Sequence, residues 1–400
     1  PSSILILGSG VFGLSTAYAL SLSPHYTSTT ITLLDRSRTL PAADSASCDN
    51  SRIIRSDYAE RFYTAFASHA QTIWRGSGPA SSPSHPFHGL GADGRYTQNG
   101  LLITTDRPDG EEVYIDKALK NLPAREREKD VRILGSREEV VELTRHAGGA
   151  ATGCRGYVNY SAGWADAERA MGWVLGKVRE TGRVRFETGE VSEVREREVE
   201  LVDGRVMKAD VVVVAVGSWV EGLMGRWVGG RVKRCPQPLG YVKLGDEEWE
   251  QVKHWPVHFN VTDGEWDNDW MDVVLMVIGT LMIAHPPTKS LKIAIHSLHG
   301  YSTVAEAAMA LEKLAQTLLP NVAAERKAAD EPLVTGVRLC CYADTRTGDF
   351  VVDWVPGLPG VMVAGGGSGH GFKFLPALGE QIVGILEGRE SEFKEKWKWP

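Results

Sequence analysis

Residues 4–13 read Ile4-Leu5-Ile6-Leu7-Gly8-Ser9-Gly10-Val11-Phe12-Gly13. The apolar residues at their start are typical of a strand that is buried on both faces of a parallel sheet. The glycines lead into residues 14–20, which predict a helix, and a second strand over residues 30–34 ends on Asp35. Strand, G-x-G-x-x-G, helix, strand and acidic residue, in that order, are the signature of a dinucleotide-binding unit.

Each part of this signature has a physical reason. Gly8 permits the tight turn, Gly10 lets a pyrophosphate approach the backbone, and Gly13 allows the helix to pack closely on the strand. The helix N-terminus offers free N–H groups and a positive dipole end to phosphates. Asp35 stands where a carboxylate can hold ribose hydroxyls. The alternative is a glycine turn in an ordinary α/β unit, and nothing in this stretch separates FAD from NAD.

The composition limits the classes of function. At 400 residues the chain is longer than one core usually supports, so more than one domain is expected. A net charge of −7 and the lack of a long basic run argue against nucleic acid as a partner. The five cysteines are an odd number that does not suggest a disulfide framework and favours a reducing compartment. The longest apolar run, residues 273–284, is too short to span a bilayer.

Segments that resemble parts of a nucleotide-binding fold are scattered along the chain, at residues 1–58, 183–219 and 361–388. An NAD dehydrogenase usually keeps such units contiguous, so the scattering favours FAD. The predicted fold class is α/β, with a parallel-sheet, Rossmann-like FAD-binding domain and a second, mostly antiparallel α+β substrate domain. The predicted FAD-binding domain comprises residues 1–80, 150–225 and 335–400, and the predicted substrate domain comprises residues 81–149 and 226–334.

Several motifs together resemble the FAD-dependent amine oxidases of the D-amino-acid oxidase superfamily. The similar members are monomeric sarcosine oxidase, fungal pipecolate and saccharopine oxidases, and fructosyl amino acid oxidases (amadoriases). The motifs span nearly the whole chain in the order of the family. They are Gly8–Asp35, Ser51–Arg55, Ala215–Trp219, Leu291–His296, and Leu339–Tyr342 together with Gly369–Lys373.

The resemblance implies roles that the residues alone do not. From spacing alone, Arg52 and Arg55 are a pair of surface arginines that could share one helical face. The resemblance instead places Arg52 against the flavin, where it helps to bind a substrate carboxylate, and leaves Arg55 without a clear role. It implies that Lys292 promotes the reaction with oxygen and that Lys373 reaches the substrate carboxylate. It also implies that Cys340 is linked covalently to the flavin.

Chemistry supports a cation at the oxygen site. Negative charge develops on O2 as it is reduced, and a cation about 4–5 Å away supplies about 3–4 kcal/mol at an effective dielectric of about 20. Without that role, Lys292 would be a surface lysine on a strand, and Cys340 would be a small buried hydrophobe. The predicted catalytic residues are Lys292, Arg52, Lys373 and His296, and no metal site is expected.

The predicted contacts with FAD cluster in the glycine-rich segments and in the motifs named above. They are Gly8, Gly10, Val11, Phe12, Gly13, Asp35, Arg36, Ser45, Ser51, Arg52, Val191, Gly217, Trp219, Cys340, Gly367, Gly369, His370, Gly371, Phe372 and Lys373.

The sequence also departs from its relatives. Amadoriases generally carry an acid, which grips the sugar, where His296 stands here, so the histidine favours the sarcosine, pipecolate and saccharopine branch. Cys48 replaces a histidine that is usual in bacterial sarcosine oxidases. Residues 249–272, which are rich in tryptophan, align with nothing in the family and are expected to shape the substrate entrance.

These observations predict an oxidase that converts the C–N bond of a secondary-amine amino acid, N-substituted or cyclic, to an imine and reduces O2 to H2O2. The alternatives are a fructosyl amino acid oxidase, a dehydrogenase that passes electrons to another acceptor, and a non-catalytic dinucleotide-binding sensor. The partners expected are a small amino acid and O2, with no nucleic acid and no membrane. The protein is expected to be a monomer in the cytoplasm or the peroxisome.

Overall fold

The computed structural model of the chain describes residues 1–107, 113–144, 153–262, 278–297 and 300–399. Its strands are β1 (Ser3–Leu7), β2 (Thr30–Asp35), β3 (Arg52–Ile54), β4 (Tyr96–Thr97), β5 (Leu101–Thr105), β6 (Val131–Leu134), β7 (Arg155–Asn159), β8 (Gly163–Ala165), β9 (Val184–Thr188), β10 (Val191–Arg195), β11 (Glu198–Leu201), β12 (Val206–Lys208), β13 (Val211–Val214), β14 (Val232–Lys243), β15 (Val257–Thr262), β16 (Ile278–His285), β17 (Ser290–His296), β18 (Thr335–Thr345), β19 (Val351–Trp354) and β20 (Val361–Gly365).

Helices cover the sheets and connect their strands. They are α1 (Val11–Leu22), α2 (Arg61–Trp74), α3 (Tyr114–Asn121), α4 (Ala124–Asp130), α5 (Arg137–Thr144), α6 (Ala167–Glu180), α7 (Val220–Val228), α8 (Asp246–Val252), α9 (Val304–Leu318), α10 (Pro320–Ala328), α11 (Leu375–Leu386) and α12 (Glu392–Trp397).

The first large sheet is the nucleotide-binding one, with strand order β19-β20-β13-β1-β2-β9. Its strands pair in parallel, except that β19 runs antiparallel to β20. Side chains alternate between two apolar cores: Ile4 and Ile6 pack with the helices of one face, and Leu5 and Leu7 pack on the other. Burial on both faces explains why β1 and β13 are continuous apolar runs.

The second large sheet has strand order β18-β14-β17-β16-β15-β5-β7-β6. It is antiparallel apart from the parallel pair β5 and β15. Along β17, Leu291 and Ile293 pack with α9 and α10 in one apolar cluster, whereas Lys292 and His296 point to the opposite face and line a cavity. This period-two alternation turns one strand into both a core element and a wall of the site.

The predicted fold class is confirmed, since a mostly parallel sheet and a mostly antiparallel one are both present. The predicted domain boundaries stay a prediction. At the level of hydrogen bonding, β7 and β18 belong to the second sheet, because β7 pairs with β5 and β18 pairs with β14. Both strands fall in segments that the sequence assigned to the FAD-binding domain.

Among the helices of the described ranges, none combines the length and the apolar character that a bilayer crossing requires.

Candidate active site

The glycine turn between β1 and α1 is fixed by close backbone packing. Gly8 has φ +93°, and a Cβ there would lie 2.6 Å from the carbonyl oxygen of Ala215. A Cβ on Gly13 would lie 1.9 Å from the carbonyl oxygen of Gly8. Gly10 differs, because its Cβ would meet only the hydroxyls of Ser47, at 3.4 Å, and Ser45, at 3.5 Å. Packing therefore explains the first and third glycines, and the open side of Gly10 faces a cavity.

This smaller cavity, about 350 Å³ in volume, runs from the glycine turn across the carboxyl ends of the parallel strands. Gly10 is the N-cap of α1, with no side-chain cap bond and no acidic residue in the first turn. The structure brings most predicted cofactor contacts together here. Those lining it are Gly8, Gly10, Val11, Phe12, Asp35, Arg36, Ser45, Arg52, Val191, Gly217, Trp219, Gly367, Gly369, Gly371 and Phe372.

Asp35 also organises the turn itself. Its Oδ2 accepts hydrogen bonds from the backbone N–H of Ser9 at 2.8 Å and from the Ser9 hydroxyl at 2.6 Å. The guanidinium of Arg36 lies 4.3 Å from the ring centroid of Trp219. Ser47 was missed by the sequence reasoning, yet its hydroxyl accepts a bond from the Val11 N–H at 2.9 Å. A serine beyond the motif therefore holds the first residue of the helix in place.

A larger cavity of about 550 Å³ adjoins the first, and Arg52, Tyr342 and Phe372 line both. It brings together predicted residues that are distant in the chain: Ser51, Arg52, Lys292, His296, Cys340, Gly369, His370, Phe372 and Lys373. Gly13 lies outside the described linings of both cavities, as its packing role requires.

A buried carboxylate, Asp49, gathers the cations on one side of this cavity. Its Oδ2 lies 2.5 Å from Lys292 Nζ and 3.3 Å from an Arg338 nitrogen. Arg52 forms a third ion pair with it, and the Tyr241 hydroxyl donates to its Oδ1 at 2.7 Å. Burial alone would raise the pKa of Asp49, but these cations hold that pKa well below its usual range. Sequence reasoning missed Asp49, because nothing local marks it.

Lys292 is almost completely buried, with 1% of its side chain exposed. Its Nζ donates to Asp49 and, at 2.8 Å, to the Ser51 carbonyl. Burial lowers the pKa of Lys292 to about 8, against the opposing pull of Asp49. The alternative, a surface lysine on a strand, is therefore wrong.

Arg52 is held on several sides. Besides Asp49, its guanidinium donates to the Ala46 carbonyl at 2.8 Å and lies 3.3 Å from Cys340 Sγ. The neighbouring Cys341 faces the smaller cavity instead and lies 3.1 Å from an Arg234 nitrogen. The two cysteines thus point to opposite sides of β18, and only Cys340 lines the larger cavity.

Arg55 and Lys373 form a second cationic group around Tyr58. Lys373 Nζ donates to the Tyr58 hydroxyl and to the His370 carbonyl, both at 2.7 Å. The Arg55 guanidinium lies 4.6 Å from the Tyr58 ring centroid and donates to the Tyr114 hydroxyl at 3.1 Å. Burial and the charge of Arg55 hold the pKa of Lys373 well below its usual range. Within the described ranges, neither cation forms an ion pair with a carboxylate.

The interpretation of Arg52 and Arg55 as surface arginines on one helical face is wrong. Arg52 begins a short strand, β3, and Arg55 follows its end. Arg55 is only 7% exposed, and it lines the larger cavity although the sequence reasoning assigned it no role. The signal that could have found it was its position directly after Ile53 and Ile54, the two apolar residues of a short strand.

The histidines of the site are neutral. Burial lowers the pKa of His296 to about 4, and its Nε2 lies 3.3 Å from the Tyr342 hydroxyl. Burial likewise lowers the pKa of His370 to about 3, and its Nδ1 lies 3.0 Å from the Tyr58 hydroxyl. Each imidazole therefore acts as a hydrogen-bonding group rather than as a cation.

The predicted substrate entrance is only partly covered by the structure. Trp249 and Trp255 are buried in the apolar cluster beside α9 rather than at a cavity. Trp266 and Trp270 lie outside the described residues. Within the described ranges, no cluster of His, Cys, Asp or Glu side chains is placed to hold a metal ion.

Comparison with known proteins identifies one family over nearly the whole chain. The family model described as FAD dependent oxidoreductase matches residues 3–384. Among curated proteins, the amino acid oxidase imqH of Aspergillus flavus is 29% identical, over 100% of this chain and 98% of that protein. L-saccharopine oxidase of Schizosaccharomyces pombe is 26% identical, over 99% and 92%.

The fold is also shared with solved structures. The deglycating fructosamine oxidase (Amadoriase II) of Aspergillus fumigatus superposes with a TM-score of 0.74 and 22% identity, over 100% of this chain and 89% of that one. At that identity the likeness concerns the fold alone.

Proposed function

This chain belongs to the FAD dependent oxidoreductase family, and from that premise we propose that it oxidises secondary-amine amino acids with O2 as the electron acceptor. The C–N bond of an N-substituted or cyclic amino acid becomes an imine, and O2 becomes H2O2. One observation carries the proposal: two buried cations without a carboxylate partner among the described residues, Arg55 and Lys373, line the same cavity as Lys292 and Cys340. The names of the curated relatives, amino acid oxidase and saccharopine oxidase, are consistent with it.

The residues of the smaller cavity fit FAD. Gly10 is the one glycine of the motif that protein packing does not require, since a Cβ there would project toward the cavity-lining hydroxyls of Ser45 and Ser47. Apart from the Val11 N–H, which donates to Ser47, the first turn of α1 presents N–H groups suited to a diphosphate. Asp35 offers carboxylate oxygens to ribose hydroxyls. When bound, FAD supplies the redox chemistry, taking two electrons from the amine and giving them to O2.

Arg55 and Lys373 are proposed to bind the substrate carboxylate. The carboxylate of Asp57 acts on Arg55 only from beyond ion-pair distance, so a substrate carboxylate would be the direct anionic partner that both side chains lack among the described residues. Arg52, predicted for this role, is a weaker candidate because Asp49 already neutralises it. Its guanidinium lies against Cys340 and lines both cavities, which suits a residue between substrate and cofactor.

His296 and Tyr342 are proposed to orient the amine. They hydrogen-bond to each other on the cavity wall, and the imidazole is neutral, with a pKa lowered by burial to about 4. A neutral imidazole adds no further positive charge to a site that must accept the amine. The free amine carries a lone pair of its own, so the oxidation needs no protein group as a general base.

We assign Lys292 to the oxygen reaction and Cys340 to a covalent link with the flavin. Lys292 Nζ is a buried cation beside the cavity, where a positive charge stabilises charge that develops on oxygen. Cys340 Sγ lines the same cavity and contacts Arg52. The family resemblance suggests both roles, and the positions of these side chains at the cavity support them.

A peroxide-coupled screen of the purified holoprotein tests the function. Sarcosine, pipecolate, saccharopine and fructosyl amino acids are compared with primary amino acids under air. We expect peroxide with at least one secondary-amine amino acid, and in Arg55→Met a fall of about tenfold or more in the rate at substrate concentrations below KM. Peroxide from fructosyl amino acids alone would favour the deglycating alternative. Bleaching of the flavin under nitrogen without peroxide under air would favour a dehydrogenase with another acceptor.

A further inference from the structure

The carboxyl group of Asp344 lines the larger cavity, and the proposed reaction does not use it. Asp344 lies on β18, where Cys340, Tyr342 and Asp344 alternate onto the same face, and all three line the cavity. Asp344 is only 7% exposed. Neither of its carboxylate oxygens accepts a hydrogen bond from an N–H or O–H group of the described residues. A buried, unpaired carboxyl group is costly, so its presence at a cavity wall needs an explanation.

The contrast with Asp49 shows how this fold treats a buried acid that serves the scaffold. Asp49 is surrounded by Lys292, Arg52 and Arg338 and accepts a bond from a tyrosine. Burial raises the pKa of Asp344 to about 7. The thiol of Cys235, a weak hydrogen-bond donor, is the group among the described residues that acts to lower this pKa. The protein supplies no cation to Asp344 within the described ranges.

The surroundings of Asp344 are polar and face the same space. The hydroxyl of Ser297, which also lines the cavity, is buried without a hydrogen-bond partner among the described residues. Gln237 is engaged already, because its side-chain amide donates to the Ser297 carbonyl at 2.7 Å and accepts from the Ser297 N–H at 2.9 Å. Burial is the main cause of the raised pKa of the Tyr342 phenol, and Asp344 is close enough for its charge to add to the rise. The wall from His296 through Tyr342 to Asp344 is therefore continuous.

We propose that Asp344 is a specificity-determining residue that binds a positively charged group on the side chain of the substrate. The proposal rests on the proposed function and adds a substrate class to it: secondary-amine amino acids whose side chains end in an ammonium or a comparable cation. The substrate carboxylate meets Arg55 and Lys373, and the side-chain cation supplies the donor that Asp344 lacks. The cavity of about 550 Å³ is shared with predicted flavin contacts such as Cys340, and Asp344 lines the same space as Arg55 and Lys373.

A matched pair of substrates tests the charge directly. Nα-methyl-L-lysine and N-methyl-L-2-aminoheptanoate have side chains with the same number of non-hydrogen atoms and differ in the terminal ammonium. We expect the holoenzyme to prefer the lysine derivative in kcat/KM by about tenfold to a hundredfold, the usual effect of a charge-assisted hydrogen bond. Asp344→Asn should reduce this preference to within about threefold. An unchanged preference in the variant, or no preference in the wild type, would overturn the proposal.

Asp349→Asn is the matched control. Asp349 borders the same cavity, but its carboxylate lies 3.2 Å from Lys396 Nζ. The substitution removes the same charge from an acid that already pairs with a cation of the protein, so the preference for the lysine derivative should persist. Loss of the preference in both variants would mean that the net charge of the cavity, and not Asp344, sets it.

A binding measurement separates this proposal from the proposed function. Calorimetric titration of the holoenzyme with 6-aminohexanoate and with hexanoate requires no turnover. A preference for the amino acid that disappears in Asp344→Asn supports the cation site even if no substrate yields peroxide. Thermal melting supplies a further check: removing an unpaired buried carboxyl group should leave the melting temperature equal or higher. A clear fall would make Asp344 a structural residue and overturn the proposal.

Discussion

Lys292→Met removes one cation from the oxygen side of the cavity while keeping the length and apolar stem of the side chain. The ion-pair cluster predicts that the fold tolerates this change. Asp49 keeps Arg52 and Arg338 as ion-pair partners and the Tyr241 hydroxyl as a donor. No charge is left buried and unpaired, which is the usual reason that such substitutions unfold a protein.

The magnitude follows from the neighbours of Lys292. A lone cation about 4–5 Å from the developing charge contributes about 3–4 kcal/mol at an effective dielectric of about 20. The carboxylate of Asp49 lies 2.5 Å from Nζ, and its negative charge opposes the stabilisation by the lysine. If Asp49 kept its full charge about 7 Å from the oxygen, the net stabilisation of the developing charge would fall to about 1.3 kcal/mol. Because Asp49 is shared with two arginines, the effect lies between these limits. We expect the oxygen reaction to slow by about tenfold to five-hundredfold.

Stopped-flow measurements separate the two halves of turnover. Anaerobic bleaching of the flavin by substrate should survive Lys292→Met within about a few-fold, whereas the return of colour on mixing with O2 should slow. The pKa of Lys292, lowered by burial to about 8, adds a pH test. The lysine is charged below that value, so the wild-type oxygen reaction should slow as pH rises through about 8, and the variant should lack this step.

Lys289→Met is the control. Lys289 is an exposed lysine directly before β17, the strand that carries Lys292, and its Nζ lies 2.6 Å from the carboxylate of Asp246. It should change neither half-reaction. If the return of colour is as fast in Lys292→Met as in the wild type, the cation assignment is refuted and Lys292 is a structural partner of Asp49.

Three further predictions follow from the same cavity. In Cys340→Ala, denaturation should release the flavin into the filtrate, whereas Cys341→Ala should keep it attached, and free release from the wild type would rule out the link. Lys373→Met and Arg55→Met should each raise KM for an amino acid by about ten- to a hundred-fold with little effect on the oxygen reaction, as steady-state and stopped-flow rates would show. Asp49→Asn leaves buried cations uncompensated and should cost about 3–5 kcal/mol of unfolding free energy in denaturant titrations; an unchanged midpoint would contradict the cluster.

The nucleotide-binding half was predictable because its determinants are local in sequence. A Cβ on Gly13 would meet the carbonyl oxygen of Gly8, five residues earlier in the chain. Asp35, which ends the next strand, accepts a hydrogen bond from the Ser9 N–H. Such contacts lie within one strand-helix-strand unit, so spacing alone encodes them. The sheet that walls the substrate cavity is different: β18 reaches β14 across about a hundred residues, and no local periodicity specifies that pairing.

The same distinction explains why Asp49 was missed. Its partners Lys292, Tyr241 and Arg338 are 243, 192 and 289 residues away along the chain. An aspartate in a small, polar loop carries no sign that it will be buried among cations. Sequence patterns report which side chains are buried, but compensation of charge is a property of the assembled site.

That property also decides between the two arginines of the Ser51–Arg55 motif. Both are cations near the cavity, and residue identity cannot rank them as ligands for a carboxylate. Arg52 is neutralised by Asp49 and bonded to the Ala46 carbonyl, so a substrate anion would have to compete with an existing partner. The guanidinium of Arg55 has phenol and ring contacts and no ion pair among the described residues, with the carboxylate of Asp57 acting on it from a greater distance. Lys373 stands beside the same Tyr58. An anion therefore gains most at Arg55 and Lys373, and a basic residue in a family motif becomes a ligand only where the fold leaves its charge unpaired.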